Sequence, residues 1–220
     1  MMATMVVEVA LFFYVVCRYK LNPTTRIIAL IIMLLALFQF AEFQVCGGAM
    51  AELFMHIGFI AITIMPALGL HLVYRIAEKT NRYVLAVSYA FCALFVLVLG
   101  FRSTSFVGYE CGGNYSIFTI ADKVGGLYFT YYYILLFLSI GLSLYFAHTA
   151  NKKARKALLW QVFGLLSFLL PTGIVNTLHP QTLKAIPSIM CGFAVIYAFV
   201  LVFAIVPTVS SKKHRLVNIY

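Results

Sequence analysis

Seven separate apolar stretches, each long enough to cross a bilayer, run through this chain, and basic residues recur on alternate connections between them. The stretches cover approximately 4–19, 25–45, 53–74, 83–101, 126–147, 157–178 and 185–207. A bilayer core needs about 20 apolar residues per helix. Hydrocarbon offers backbone N–H and C=O groups no partner, so only helices and closed barrels span it. Barrel strands alternate every second residue, whereas these runs are continuously apolar. The expected fold class is therefore all-α, a single domain over 1–220 forming an integral membrane bundle of seven transmembrane helices. Composition agrees, with 64% hydrophobic and only 10% charged residues, against roughly 25% charged in a soluble domain.

Charge gives the bundle a direction. The first connection carries Arg18, Lys20 and Arg26, and the third Arg75, Lys79 and Arg82. The fifth carries Lys152, Lys153, Arg155 and Lys156, and the tail Lys212, Lys213 and Arg215. Thirteen of the sixteen basic residues thus share one side, leaving Arg102, Lys123 and Lys184 on the other. By the positive-inside rule that side is cytoplasmic, so the N-terminus is expected outside and the C-terminus inside. A net charge of +10 gathered at helix ends suits anionic headgroups, not nucleic acid. The bilayer is the expected partner, nucleic acid is not, and the cell membrane is the expected location. In the first stretch the positive charges follow the apolar run, the reverse of a cleavable signal peptide. It is expected to remain as the first helix. The longest connection, about 102–125, holds Gly108, Gly112, Gly113 and Gly125, with Gly126 just beyond, and reads as irregular backbone.

Acidic residues show the opposite asymmetry. Glu8, Glu42, Glu52, Glu110 and Asp122 fall at or near the outer side, and only Glu78 lies inside. An ionisable group at the centre of a spanning helix costs about 2.5–3.5 kcal/mol on insertion scales and tends to face the bundle interior. Gln39 and Glu42 are three apart, and Glu52 and His56 four apart, so each pair shares a helix face. With Glu8, with Tyr131 and Tyr132 of the fifth helix, and with Asn176 and His179 ending the sixth, these residues suggest an outward-open polar pocket. For Glu8, Glu52, His179 and Asp122 a place among the headgroups is the alternative. Glu52 with His56 also has zinc-like character, but two ligands do not make a site. No metal and no cofactor is expected.

Cys46 ends the second helix and Cys111 lies in the long outer loop, where an oxidising exterior permits a bridge. Spacing alone leaves open whether their Cα atoms come close enough. Pro66 and Pro171 sit inside the third and sixth helices. Each removes a backbone hydrogen bond, which makes them hinge candidates or fixed kinks. Asn114-Tyr115-Ser116 is a formal glycosylation triplet.

The run Glu52-Leu-Phe-Met-His-Ile-Gly58-Phe-Ile-Ala-Ile-Thr-Ile-Met-Pro66, continuing to Leu70-His-Leu-Val-Tyr-Arg75, resembles the third helix of the seven-helix N-terminal sensor region of bacterial histidine kinases. Glu42 late in the second helix, the basic entry to the sixth helix ahead of Pro171, and Leu183, Pro187 and Gly192 in the seventh are similar too. The resemblance implies a sensor that binds a small external ligand. Only about a dozen residues follow the last apolar stretch, and the expectation is either a stand-alone receptor-like module or signalling through a separate cytoplasmic partner. Two hallmarks of G-protein-coupled receptors are missing: no acidic residue precedes Arg75 after Tyr74, and the seventh helix lacks Asn-Pro-x-x-Tyr. A retinal protein is excluded because Lys184 lies at the outer end of its helix. The expected function is a seven-transmembrane sensor or receptor and not an enzyme. The alternatives are a proton-coupled small-molecule transporter, or a metal-dependent intramembrane lipid hydrolase whose histidines would have to converge. Here His56 and His179 are outer, while His71, His148 and His214 are inner.

Cysteine-accessibility labelling of intact cells should find residues 152–156 protected from an impermeant reagent until the membrane is opened. Labelling from outside would reverse the assigned orientation.

Overall fold

The computed structural model describes residues 2–48, 50–101, 106–112, 116–179 and 185–212. It is built from seven helices: α1 (Met2–Arg18), α2 (Pro23–Gly47), α3 (Ala51–Ile76), α4 (Arg82–Phe101), α5 (Asp122–Thr149), α6 (Lys152–Leu178) and α7 (Ile186–Val200). The last runs on through a π-helical turn at Leu201–Ile205 and a final turn at Val206–Val209. Six of the seven are long and apolar enough to cross a bilayer. The exception is α1, whose 17 residues extend about 26 Å, a little short of a hydrocarbon core of about 30 Å.

Local chemistry sets the helix starts at the basic end. Asn22 precedes Pro23, whose missing N–H would be unbonded at a helix start anyway. The Asn22 Oδ1 accepts from the Thr25 N–H at 2.8 Å. Asn151 repeats the device on α6, accepting from the Ala154 N–H at 2.9 Å. Such caps satisfy donors that have no partner inside the helix. Asn22 also donates through Nδ2 to the Val209 carbonyl, and Lys20 N–H donates to the Ser211 carbonyl. The end of α7 is thereby stitched to the α1–α2 connection.

Within the bundle α3 is central, touching α2, α4, α5 and α6, while α7 packs on α6, α1 and α2. Small residues set the closest approaches, as expected where lipid gives no hydrophobic drive between helices. A Cβ on Gly58 would meet Ala41 Cβ at 3.2 Å and the Phe38 ring at 3.3 Å, so this glycine admits α2 against α3. Gly164 does the same for α6 and α7: a Cβ there would lie 2.5 Å from Tyr197 Cδ2. By contrast α4 leans on α3 and scarcely touches α5. The two diverge into an apolar groove of about 620 Å³ lined by Phe91, Leu94, Phe95, Ile134 and Leu138 among others. Phe91, Leu94, Leu97, Ile134 and Phe137 are all more than half exposed. Side chains of this kind in such number on an outer face are at home against lipid, not water.

One element departs from the sequence expectation. The long connection after α4 is not irregular throughout: it contains an antiparallel hairpin of β1 (Phe106–Cys111) and β2 (Ser116–Ile120). Tyr109 faces Phe118 and Cys111 faces Ser116, with a bulge between Phe106 and Gly108. Along β2 burial alternates, with Ser116, Phe118 and Ile120 inward. That is the period of a strand lying on a core. Arg102, Asn114, Tyr115, Lys184, Lys213, His214 and Arg215 lie outside the described residues, as do the side chains of Asp122 and Lys123.

Replacing Gly164 with alanine should destabilise the protein by about 1–3 kcal/mol, the usual range for overpacking. The Tyr197 ring it would strike is buried and held by a hydrogen bond from Gln161 Nε2 at 2.7 Å. The same change at Gly173, with nothing within 4 Å of the new Cβ, should be neutral or slightly stabilising. Thermal unfolding in detergent or nanodiscs compares the two.

Candidate functional site

The most polar part of the interior lies where the hairpin meets α2 and α7. Glu42 is 1% exposed, about a turn and a half short of the end of α2. Its Oε1 accepts a hydrogen bond from the Ser116 hydroxyl at 2.8 Å. Ser116 in turn donates its backbone N–H to Ser188 Oγ of α7 at 3.1 Å. Through two atoms of one residue, the hairpin is therefore fixed to two helices. Cys46 of α2 and Cys111 of β1 add a covalent tie, with their Cα atoms 5.8 Å apart. Because Cys111 is paired with Ser116 across the hairpin, the disulfide and the Ser116–Glu42 hydrogen bond clamp opposite strands at one level.

Around this clamp the polar groups are incompletely partnered. Glu8 of α1, the helix that packs on α2 and α7, is fully buried. Neither Glu8 oxygen has a hydrogen-bond partner among the described residues, and the same holds for Glu42 Oε2 and Gln39 Nε2. Gln39 is 1% exposed and shares the inward face of α2 with Glu42. Buried polar atoms are nearly always bonded, so the two such atoms on α2 mark this region out.

Beneath the hairpin the packing is aromatic. Phe118 stacks edge-on against Phe38 and Phe59, and Phe106 packs on Phe59. Phe59 meets Tyr128, and Tyr128 meets Tyr131 and Tyr132. The Tyr131 hydroxyl donates to the Thr63 carbonyl at 2.9 Å, beside the turn that Pro66 deprives of an N–H. Two small internal spaces remain. One of about 30 Å³ is bordered by Pro66, Gly69, Tyr132, Phe168, Cys191 and Tyr197, and one of about 10 Å³ by Ile62, Tyr128, Tyr132, Pro187 and Cys191. Both are walled almost entirely by apolar surface.

The structure thus divides the residues expected to line one outward-open pocket. Gln39 and Glu42 share the buried face of α2 under the hairpin instead of an open mouth, and Glu8 is buried in α1. His56 turns away from them: its Nδ1 bonds the Leu99 carbonyl of α4 and its ring meets Phe106. Glu52, in the first turn of α3, is exposed although it shares a face with the half-buried His56. Tyr131 and Tyr132 belong to the aromatic layer. Asn176 is half-buried and His179, the residue that ends α6, is exposed. Pro66 is buried in α3 and Pro171 half-buried in α6, and both helices run through without a break. Among the described residues no group of three or more His, Cys, Asp or Glu side chains is placed to hold a metal ion.

Sequence reasoning missed Ser116 and Ser188, which complete the cluster. The signal for Ser116 was present in Ser116-Ile-Phe-Thr-Ile120, whose alternation is that of a half-buried strand. Nothing in the sequence around Ser188 distinguishes it from a serine that bonds its own helix. Comparison of the chain with family models, curated proteins and solved structures gives no match. Fold and site together define a multi-pass helical membrane protein with a disulfide-clamped hairpin closing one end.

Changing both Cys46 and Cys111 to serine should lower stability by about 2–4 kcal/mol, the usual contribution of a disulfide. Hydrogen exchange of residues 116–120 should accelerate in parallel. Glu52→Gln, at an exposed position, should leave both measurements unchanged.

Proposed function

We propose that this chain is a seven-helix membrane sensor, with the hairpin end outside, the basic end in the cytoplasm, and the hairpin as the element that responds to a small external ligand. The observation carrying this reading is the path of contacts from Ser116. It bonds Glu42 of α2 and Ser188 of α7, and the opposite ends of those same helices are joined through Asn22 and Val209. A ligand that moves the hairpin has differential contacts with two bundle arrangements, and differential affinity is what shifts such an equilibrium. The basic-end connections are where a separate cytoplasmic partner would read the shift. Thirteen basic residues on alternate connections support the orientation, and the resemblance to the sensor region of histidine kinases supports the role.

A proton-coupled transporter is the second reading, favoured by the buried Glu8 and Glu42. The π-helical turn at Leu201–Ile205 is a feature often found at functional sites, and it serves either reading.

The test begins with small molecules that co-purify with the protein or stabilise it thermally. Spin labels at positions 79 and 153, both at the basic end, should change separation when such a compound is added, and the change should vanish in the Cys46→Ser, Cys111→Ser variant. A compound that saturates the protein and leaves the separation fixed would contradict the sensor reading. Accumulation of the compound inside proteoliposomes would favour the transporter.

A further inference from the structure

We propose that the groove between α4 and α5 binds one anionic glycerophospholipid, with an acyl chain along the groove and the headgroup at its basic-end mouth. The groove of about 620 Å³ is bounded on α4 by a single contact. Phe95 packs against Tyr131 and Tyr128 of α5, with ring centroids 5.0 and 5.6 Å apart. The α4 wall lies wholly on the basic-end side of Phe95 and runs back to Tyr83, the second residue of that helix. From Tyr83 to Phe95 the helix rises about 18 Å. One leaflet supplies roughly 15 Å, half of a hydrocarbon core of about 30 Å. A single acyl chain entering from that leaflet has this reach. A partner helix would instead pack along the whole span, whereas this wall leaves out the outer end of α4.

The wall and the mouth ask for different chemistry. Along the wall the polar side chains are already engaged within the bundle. Ser88 donates to the Leu85 carbonyl at 2.9 Å, Thr130 to the Gly126 carbonyl at 2.8 Å, and Tyr131 to the Thr63 carbonyl at 2.9 Å. What remains for an occupant is apolar contact, which suits an alkyl chain. At the mouth Tyr83 is 87% exposed. On α5, Tyr145 lies two turns beyond Leu138 on the same face and is 67% exposed. Exposed tyrosines at a helix end sit at headgroup depth. Arg82 immediately precedes Tyr83, and the turn leading into α4 also carries Arg75 and Lys79 against one acidic residue, Glu78, all four exposed. Lys and Arg extend their charged heads toward the interface while their stems cover apolar surface. This basic excess beside the groove favours a headgroup with net negative charge over a zwitterionic one. The proposal rests on the chain's spanning a bilayer, and neither on the sensor reading nor on which side is cytoplasmic.

The experiment is photolabelling of the full chain in phosphatidylcholine nanodiscs containing a trace of lipid with a diazirine midway along one acyl chain. The probe is phosphatidylglycerol in one arm and phosphatidylcholine in the other, and mass spectrometry maps the labelled residues. Phosphatidylglycerol should label residues 83–95 and 127–138 about fivefold more than phosphatidylcholine does, the factor one basic residue near the headgroup supplies. Leu170 and Ile174, exposed on α6, should take up the two probes equally. Lys79→Gln with Arg82→Gln should remove the preference and leave phosphatidylcholine labelling unchanged. Lys152→Gln with Lys153→Gln, on the other basic connection, should retain it. Val87→Trp, at a wall position 56% exposed, should fill the groove and lower its labelling by both probes, with the thermal midpoint unmoved. Equal labelling of the wild-type groove by the two probes overturns the proposal. So does a preference that survives Lys79→Gln with Arg82→Gln, or one that Leu170 and Ile174 share.

Discussion

Glu42 organises this structure because a carboxyl group within a spanning helix has few affordable places to go. Hydrocarbon offers it nothing, and water does not reach the depth of the packed bundle. The chain resolves this by bringing a hydroxyl to it from a loop. Ser116 arrives on a strand, the strand needs a partner strand, and the partner carries Cys111 to Cys46. The hairpin is in this sense a consequence of the carboxyl group. Its inward face, Ser116, Phe118 and Ile120, then completes the core over Phe38 and Phe59.

The same solvent argument explains how uneven the bundle is. Where glycine permits close approach, as at Gly58 and Gly164, helices pack backbone to side chain. Where bulky aromatic and aliphatic residues line both partners, as on α4 and α5, the helices separate and leave an apolar groove. Lipid chains fill such a groove without penalty, since they are as apolar as leucine. Rigid packing therefore concentrates around α2, α3, α6 and α7, the helices nearest the polar cluster or the tyrosine layer. Two of them, α2 and α7, also bond the hairpin.

Much of the fold was legible in the sequence. Continuous apolar runs fix helices by excluding every other structure in a bilayer, although the caps at Asn22 and Asn151 start α2 and α6 ahead of the apolar runs expected from 25 and 157. Inward placement of Gln39 and Glu42 followed from the expense of exposing them to lipid. The sequence was less informative where meaning depends on a neighbour's position. Glu52 and His56 share a face by spacing, but spacing does not say that Glu52 stays exposed while His56 is half-buried. His56 looked like a pocket residue, yet the Leu99 carbonyl of α4 takes it up, a partner 43 residues away. Glycine content disguised the hairpin, because turn-forming residues at 108 and 112 outweighed the short alternation at 116–120. Ser188 was silent for the same reason: a hydroxyl's partner across a bundle leaves no local trace.

The central claim is that the hairpin and α2 are held together energetically by the buried Ser116–Glu42 hydrogen bond. A double-mutant cycle with Ser116→Ala and Glu42→Leu, the second removing the acceptor oxygens outright, read as unfolding free energy in a bilayer mimetic, isolates that pair from everything else each residue touches. The account predicts a favourable coupling of about 1.5–3 kcal/mol, the range for hydrogen bonds to a charged group. Strictly additive effects of the two changes would show that the hairpin rests on the bundle without being bonded to it.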